Sequence, residues 1–294
     1  MNFALKFFNA FLLLVLVVGS VNVSTAQRAE EIMTESSEPA NEVFLDGVVE
    51  KRLMVENRVL PYEPIREADI AWEKRIWRVI DTREKRNLVF RYPEKSFFSI
   101  IQQLANDGEI NVFRDDRFTE IIESNELTGI LNRVDTSVVF DPETYEEQIK
   151  ITTEEINWED IKRYRVKEVW FFDEETSRMR VRILGIAPIK EEYDEDTGLF
   201  KYEAPLFWVY YPQIRESLSK FQVFNDSNDA APMTWYDLFE ARVFASYIYK
   251  QSNVLDLRLK DYFEESDQLG IDVLLESQKI KNDLFNFEHD LWEF

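Results

Sequence analysis

Carboxylates are the most abundant side chains in this sequence that could do chemistry. Adjacent pairs occur at Glu154 and Glu155, Glu174 and Glu175, and Glu191 and Glu192. A glycosidase needs two carboxylates facing each other across a cleft, about 5–10 Å apart. Pairs adjacent along a chain carry no such geometry, and with 57 Asp and Glu among 294 residues they arise by chance. The segment Tyr193, Asp194, Glu195, Asp196, Thr197, Gly198 resembles part of a calcium loop, because alternate carboxylates can converge on one hard cation. The closing Glu of such a loop is missing, so a solvated hairpin turn is expected and no metal ligand is assigned. There is no Cys, which removes disulfides, thiolate nucleophiles, Cys–zinc sites and iron–sulfur clusters. The single His, His289, leaves no room for a multi-His metal site or an ordinary Ser-His-Asp triad. The expectation is a non-enzymatic protein with no catalytic residues, no metal and no cofactor.

Charge is the second constraint. The formal net charge is −22, which repels phosphate backbones and argues against a nucleic-acid partner. The acidity is not uniform. From Arg66 to Arg91 there are eight Lys or Arg against five Asp or Glu. Residues 66–81 are predicted as a helix, because Ala68, Trp72, Ile76, Val79 and Ile80 recur at helical spacing. Such a helix would carry Trp72, Arg75, Trp77 and Arg78, which we take as candidate partner-binding residues. A basic patch meeting a different, acidic patch on another copy is a head-to-tail contact that builds rings or filaments. An ordinary solvated helix face with local Glu–Arg pairs would read the same way.

Around this stretch the chain divides into three parts. Residues 1–26 have the parts of a secretory signal peptide: Lys6, an apolar run over 7–18, and small residues at Ser24 and Ala26. No Cys follows, so no lipid anchor is expected and any membrane contact would pass through a partner. Residues 27–60 form a polar, then extended, N-terminal arm. Residues 61–294 are expected to be a globular α+β domain, with helices flanking a small antiparallel sheet and a helix at the C-terminus.

Within that domain, Ser96 can cap a helix over 96–107 that Gly108 ends. Residues 110–113 suggest a short strand, and 118–134 a partial helix broken near Gly129. Residues 166–172 and 178–186 form a predicted hairpin. In its second arm Met179, Val181 and Ile183 alternate with a guanidinium row, Arg178, Arg180 and Arg182. Residues 199–211 suggest one or two further strands. Thr234, with Asp237 as capping-box partner, starts a predicted helix over 235–250. The last helix, 271–294, carries an a/d seam at Val273, Ser277, Ile280, Leu284, Phe287, Leu291 and Phe294, broken by Ser277. It suits a coiled coil or a helix docked on its own domain. Seven Trp and 12 Tyr leave a glycan-binding role open, although most sit in strand-like runs where aromatics pack a core.

Several long blocks are similar to one family. They are IREADIAWEKRIWRVID (65–81), ILGIAPI (183–189), LFWVYYPQIR (206–215), DLFEARVFASYIYKQSN (237–253), and the terminal stretch 280–285 with Asp290, Leu291 and Trp292. Through them the chain resembles the gliding-motility protein family GldN, also called PorN, of the type IX secretion system. The resemblance implies a periplasmic structural component at the inner face of the outer membrane. It implies a ring built with an outer-membrane lipoprotein of the GldK or PorK type, self-assembly within that ring, and contact with the periplasmic part of a GldM- or PorM-type motor protein. It carries over no catalytic or interface residues. A peptidoglycan-binding anchoring module is the alternative.

Overall fold

The computed structural model describes residues 58–140, 147–194, 198–225, 228, 233–264 and 266–290. All belong to the unit Arg52–Phe294. The predicted signal peptide, most of the predicted N-terminal arm, residues 195–197 of the acidic loop and residues 291–294 are among those that lie outside the described residues.

The main sheet is built from β1 (Ile70–Asp81), β2 (Val112–Phe113), β5 (Ile161–Asp173), β6 (Arg178–Tyr193), β7 (Phe200–Pro205), β8 (Trp208–Tyr210) and β11 (Tyr247–Gln251). Its order is β11-β1-β5-β6-β8-β2, with β7 paired to β6, and its pairings are antiparallel. Two small ribbons stand apart from it: β3 (Asn132–Phe140) with β4 (Glu147–Glu155), and β9 (Gln222–Val223) with β10 (Met233–Thr234). The helices are α1 (Phe97–Asn106), α2 (Ser124–Leu131), α3 (Tyr211–Leu218), α4 (Trp235–Glu240) and α5 (Leu269–Asp290). The architecture is mixed α+β, as expected.

The helix predicted over 66–81 is a strand. β1 pairs with β5 along nearly its whole length, with Trp72 opposite Phe172 and Ile80 opposite Tyr164. The apolar positions Ile76, Val79 and Ile80 satisfied helical spacing by coincidence. The two-residue alternation was hidden because charged Lys74 and Arg78 share the inward row with Trp72, Ile76 and Ile80. Trp, Ile and Val favour a pleated, half-buried surface, and eleven cross-strand partners decide the outcome.

The hairpin forms as read, with β5 and β6 longer than their apolar cores, and residues 199–211 supply β7 and β8. α1 starts at Ser96, whose Oγ accepts from the Ser99 N–H at 3.1 Å, and ends before Gly108, which takes a positive φ of 72°. α2 runs through Gly129 without a break. The Thr234–Asp237 capping box is present, but α4 is one and a half turns long, not the helix predicted over 235–250. Arg242 adopts φ 55°, leaves the helix and redirects the chain into β11.

One face of the sheet is closed by α1, α3 and α4. Phe97, Phe98, Ile101 and Leu104 of α1, Tyr211 and Ile214 of α3, and Trp235 and Phe239 of α4 meet Ile80, Tyr164, Val166, Ile186 and Val209 of the strands. Phe90 sits among them, 5.1 Å from the Trp235 ring and 5.5 Å from those of Phe97 and Tyr164. Each such side chain, fully buried, contributes about 1.5–3 kcal/mol. A smaller core joins α5 to the sheet edge through Ile280 and Leu284 against Ile76, Ile248 and Leu259. The C-terminal seam is therefore docked on its own domain over its described length. Its polar interruption has a role, because Ser277 Oγ accepts the N–H of Ile248 on edge strand β11 at 2.8 Å. That covers an edge which would otherwise expose an unpaired donor.

Candidate functional site

The strand splits the four candidate partner-binding residues between two faces of the sheet. Trp72 and Arg78 lie on the face covered by α5, and Arg75 and Trp77 on the opposite one. Trp72 packs against Phe287 of α5 in a tilted ring pair with centroids 4.9 Å apart. The Trp77 ring lies under the ammonium groups of Lys167 and Lys250, at 5.6 and 4.7 Å, and its Nε1 donates to Asp116 at 2.9 Å. Lys167 also reaches the Asp116 carbonyl, and Phe118 lies beside it. Burial pulls the Lys167 ammonium below its ordinary value, with Asp116 opposing. Arg75 is exposed and pairs only loosely with Glu73, at 3.6 Å. Of the four, it is the side chain that projects into solvent.

Arg78 enters a buried cluster instead. Its Nε donates at 3.0 Å to Glu168, which has no solvent exposure. Glu168 also accepts from Arg242 at 2.7 Å and from Trp170 Nε1 at 3.0 Å. Desolvation lowers the Arg78 pKa from its ordinary value, while Glu168 works in the other direction. Both guanidinium groups lie over the Trp170 ring, at 5.7 and 5.6 Å. Sequence reasoning found Arg78 but missed Glu168 and Arg242. Their meeting depends on the β1–β5 register and on the left-handed turn at Arg242, neither of which has a local pattern.

A second cluster grips the first described residues. The Arg215 guanidinium lies over the Tyr62 ring, its carbon 3.6 Å from the phenol centroid, and the Arg182 guanidinium carbon lies 4.7 Å from the same centroid. One oxygen of Glu240 accepts from Tyr62 at 3.3 Å, Tyr211 at 3.2 Å and Arg215 Nε at 3.1 Å. Arg215 also holds the Leu60 carbonyl, while Arg180 and Arg182 hold the side chain and carbonyl of Glu63 at 2.6 and 2.7 Å. Two members of the guanidinium row therefore act as a clamp on the segment that leads out of the arm. Burial, then the Glu240 charge, pushes the phenols of Tyr62 and Tyr211 well above the ordinary tyrosine value. They remain protonated donors and do not serve as bases.

A cleft of about 630 Å³ lies between Arg163, Arg165, Tyr247, Tyr249, Arg258 and the start of α5. Of its carboxylates Asp81, Glu84 and Glu203, the first and last pair with Arg163, at 3.5 and 2.5 Å. Burial disfavours the Asp81 charge, but Arg83 and Arg163 overcome it and hold the group below the ordinary carboxylate value. A general acid needs the opposite shift. Asp194 is described but residues 195–197 are not, so the calcium-loop spacing lies largely outside the described residues. Among the described residues no cluster of three or more His, Asp or Glu is placed to hold a metal.

Sheet, covering helices and clamp define a mixed α+β protein that braces its basic and aromatic side chains internally and holds Leu60, Tyr62 and Glu63 against one strand of the sheet and two helices. The chain belongs to the GldN family, described as gliding motility associated protein GldN, which it matches over residues 65–293. No curated protein matches the chain. Arg182, Arg215 and Glu240 of the clamp fall inside the matched span, and their target Tyr62 lies just before it.

Proposed function

We propose that the chain is a non-catalytic, exported subunit of the type IX secretion and gliding-motility machinery. It works in the periplasm at the inner face of the outer membrane. It assembles into a ring with a GldK- or PorK-type lipoprotein and meets the periplasmic part of a GldM- or PorM-type motor protein. Family membership supports the machine. One observation carries the assembly role: Ile271, Leu274, Leu275 and Phe285 of α5 are all more than half exposed. The first three share one helix face by their spacing, and a grouped exposed apolar patch marks an interaction surface. No helix among the described residues is long and apolar enough to cross a membrane, which accords with membrane contact through a partner.

Deleting the chain should abolish both cargo export and gliding, and supplying it in trans should restore both. A deletion strain that secretes and glides normally would contradict the proposal. A glycan-binding role is favoured by a different observation, the exposed aromatic rings of Tyr193, Phe200 and Tyr202 along the β6–β7 hairpin. Retention of the purified chain on isolated peptidoglycan, lost on Phe200→Ala with Tyr202→Ala, would support that second reading.

A further inference from the structure

A second cleft, of about 510 Å³, opens between β1, β5, the turn after α4, and α5. Arg78, Arg86, Arg242 and Lys281 line it, and no acidic residue does so among the described residues. Among the described residues the one carboxylate bonded to this set is Glu168, which already accepts from Arg78, Arg242 and Trp170. Arg242 Nη1 is buried and has no hydrogen-bond partner among the described residues. Arg86 and Lys281, both exposed, form no ion pair among the described residues. Apart from Ser246 the remaining wall is apolar and includes Trp170, Phe244, Leu284 and Phe285, the last 69% exposed. A cleft lined by four cationic and three aromatic side chains is out of character for a chain of charge −22.

We propose that this cleft binds an acidic peptide segment of a partner protein, a carboxylate flanked by aromatic or aliphatic side chains. Guanidinium and ammonium groups recognise carboxylates through charge-assisted hydrogen bonds, often bidentate for Arg, and Arg86 and Lys281 offer exposed donors with no ion-pair partner among the described residues. An inorganic anion would match the charge but leave Trp170 and Phe285 uncovered. An apolar peptide would cover them and leave the cations unpaired. Only a segment with both characters meets the whole lining. This goes beyond the assembly reading, which assigns no residues to any partner.

The test titrates the full exported chain with the capped peptide acetyl-Phe-Glu-Glu-Phe-amide and its Gln-for-Glu counterpart, followed by calorimetry. The acidic peptide should bind at least about tenfold more tightly, a difference of about 1.4 kcal/mol, and should weaken as salt rises. The double variant Arg86→Glu with Lys281→Glu alters two exposed side chains and should keep the wild-type melting curve. It should lose at least about tenfold in affinity for the acidic peptide. Phe285→Ala should weaken binding as well. The proposal is overturned by equal binding of the two peptides, by undiminished binding to the charge-reversed variant, or by no binding up to millimolar peptide. It is also overturned if inorganic phosphate alone binds as tightly as the peptide, which would make the cleft a simple anion hole. None of these outcomes bears on co-purification with the lipoprotein.

Discussion

Glu168 accepts hydrogen bonds from two arginines and a tryptophan at a position closed to water. Removing one partner of a buried pair leaves an uncompensated charge, which costs about 3–5 kcal/mol. Arg78→Glu, which also sets a second carboxylate against Glu168, should therefore destabilise the fold by at least that much in urea denaturation. Arg75→Glu, on an exposed side chain, should stay within about 0.5 kcal/mol. Equal effects would contradict the placement of the two residues on opposite faces of β1. A double reversal at Arg75 and Arg78 would thus report unfolding before it reported assembly. Gly185 is constrained by a neighbour rather than by its backbone. A Cβ there would sit 2.5 Å from the Phe118 ring and 3.3 Å from Trp208, and Phe118 itself holds a left-handed φ of 60°. Gly185→Ala should cost about 1–3 kcal/mol by overpacking. Unchanged stability would mean that the Phe118 loop moves aside freely.

Elements were legible in proportion to how local their determinants are. α1 announced itself through Ser96 and Gly108, and the β5–β6 hairpin through alternation on both sides of a polar turn. The start of α4 was readable from Thr234 and Asp237. Its end was not, because Arg242 takes the left-handed turn without a Gly, and its Nη2 is tied by a 2.7 Å bond to Glu168, 74 residues away. β1 was misread because its inward row mixes Trp72, Lys74, Ile76, Arg78 and Ile80, and long-range pairing overrode the local pattern. The candidate site was half visible: the basic stretch, the guanidinium row and the C-terminal seam could be found, but not what each one faces. Ser277 looked like a defect in the seam and is instead the acceptor for the Ile248 N–H. Ser277→Ala should cost about 1–3 kcal/mol and speed amide exchange at Ile248. Unaltered exchange there would show that α5 does not protect the β11 edge.

At the scale of the whole molecule, an acidic chain depends on where its carboxylates are paired. Burial disfavours the Glu191 charge, but hydrogen bonds from Lys162 and Tyr193 prevail and hold it below its ordinary value of 4.5. Asp81 is held below 3.8 by Arg83 and Arg163 in the same way. Groups with depressed folded-state values add stability that is present above the unfolded value and lost as pH falls through the folded one. Stability should therefore hold through neutral pH and fall once pH drops below about 4.5, with Glu191→Gln flattening part of that decline. A melting temperature that rises on acidification over that window would contradict the pairing.

The clamp holds Tyr62 and Glu63 against β6 and α3, and α5 presents its exposed apolar side chains elsewhere on the same unit. Both features suit a subunit that works by being held in place. The direct measurement is co-expression of the chain with a GldK- or PorK-type lipoprotein, purification through a tag on the lipoprotein alone, and imaging of the eluate. The account predicts a stable complex that forms rings or arcs. A lipoprotein that elutes by itself, with this chain left folded and monomeric in the flow-through, would contradict it.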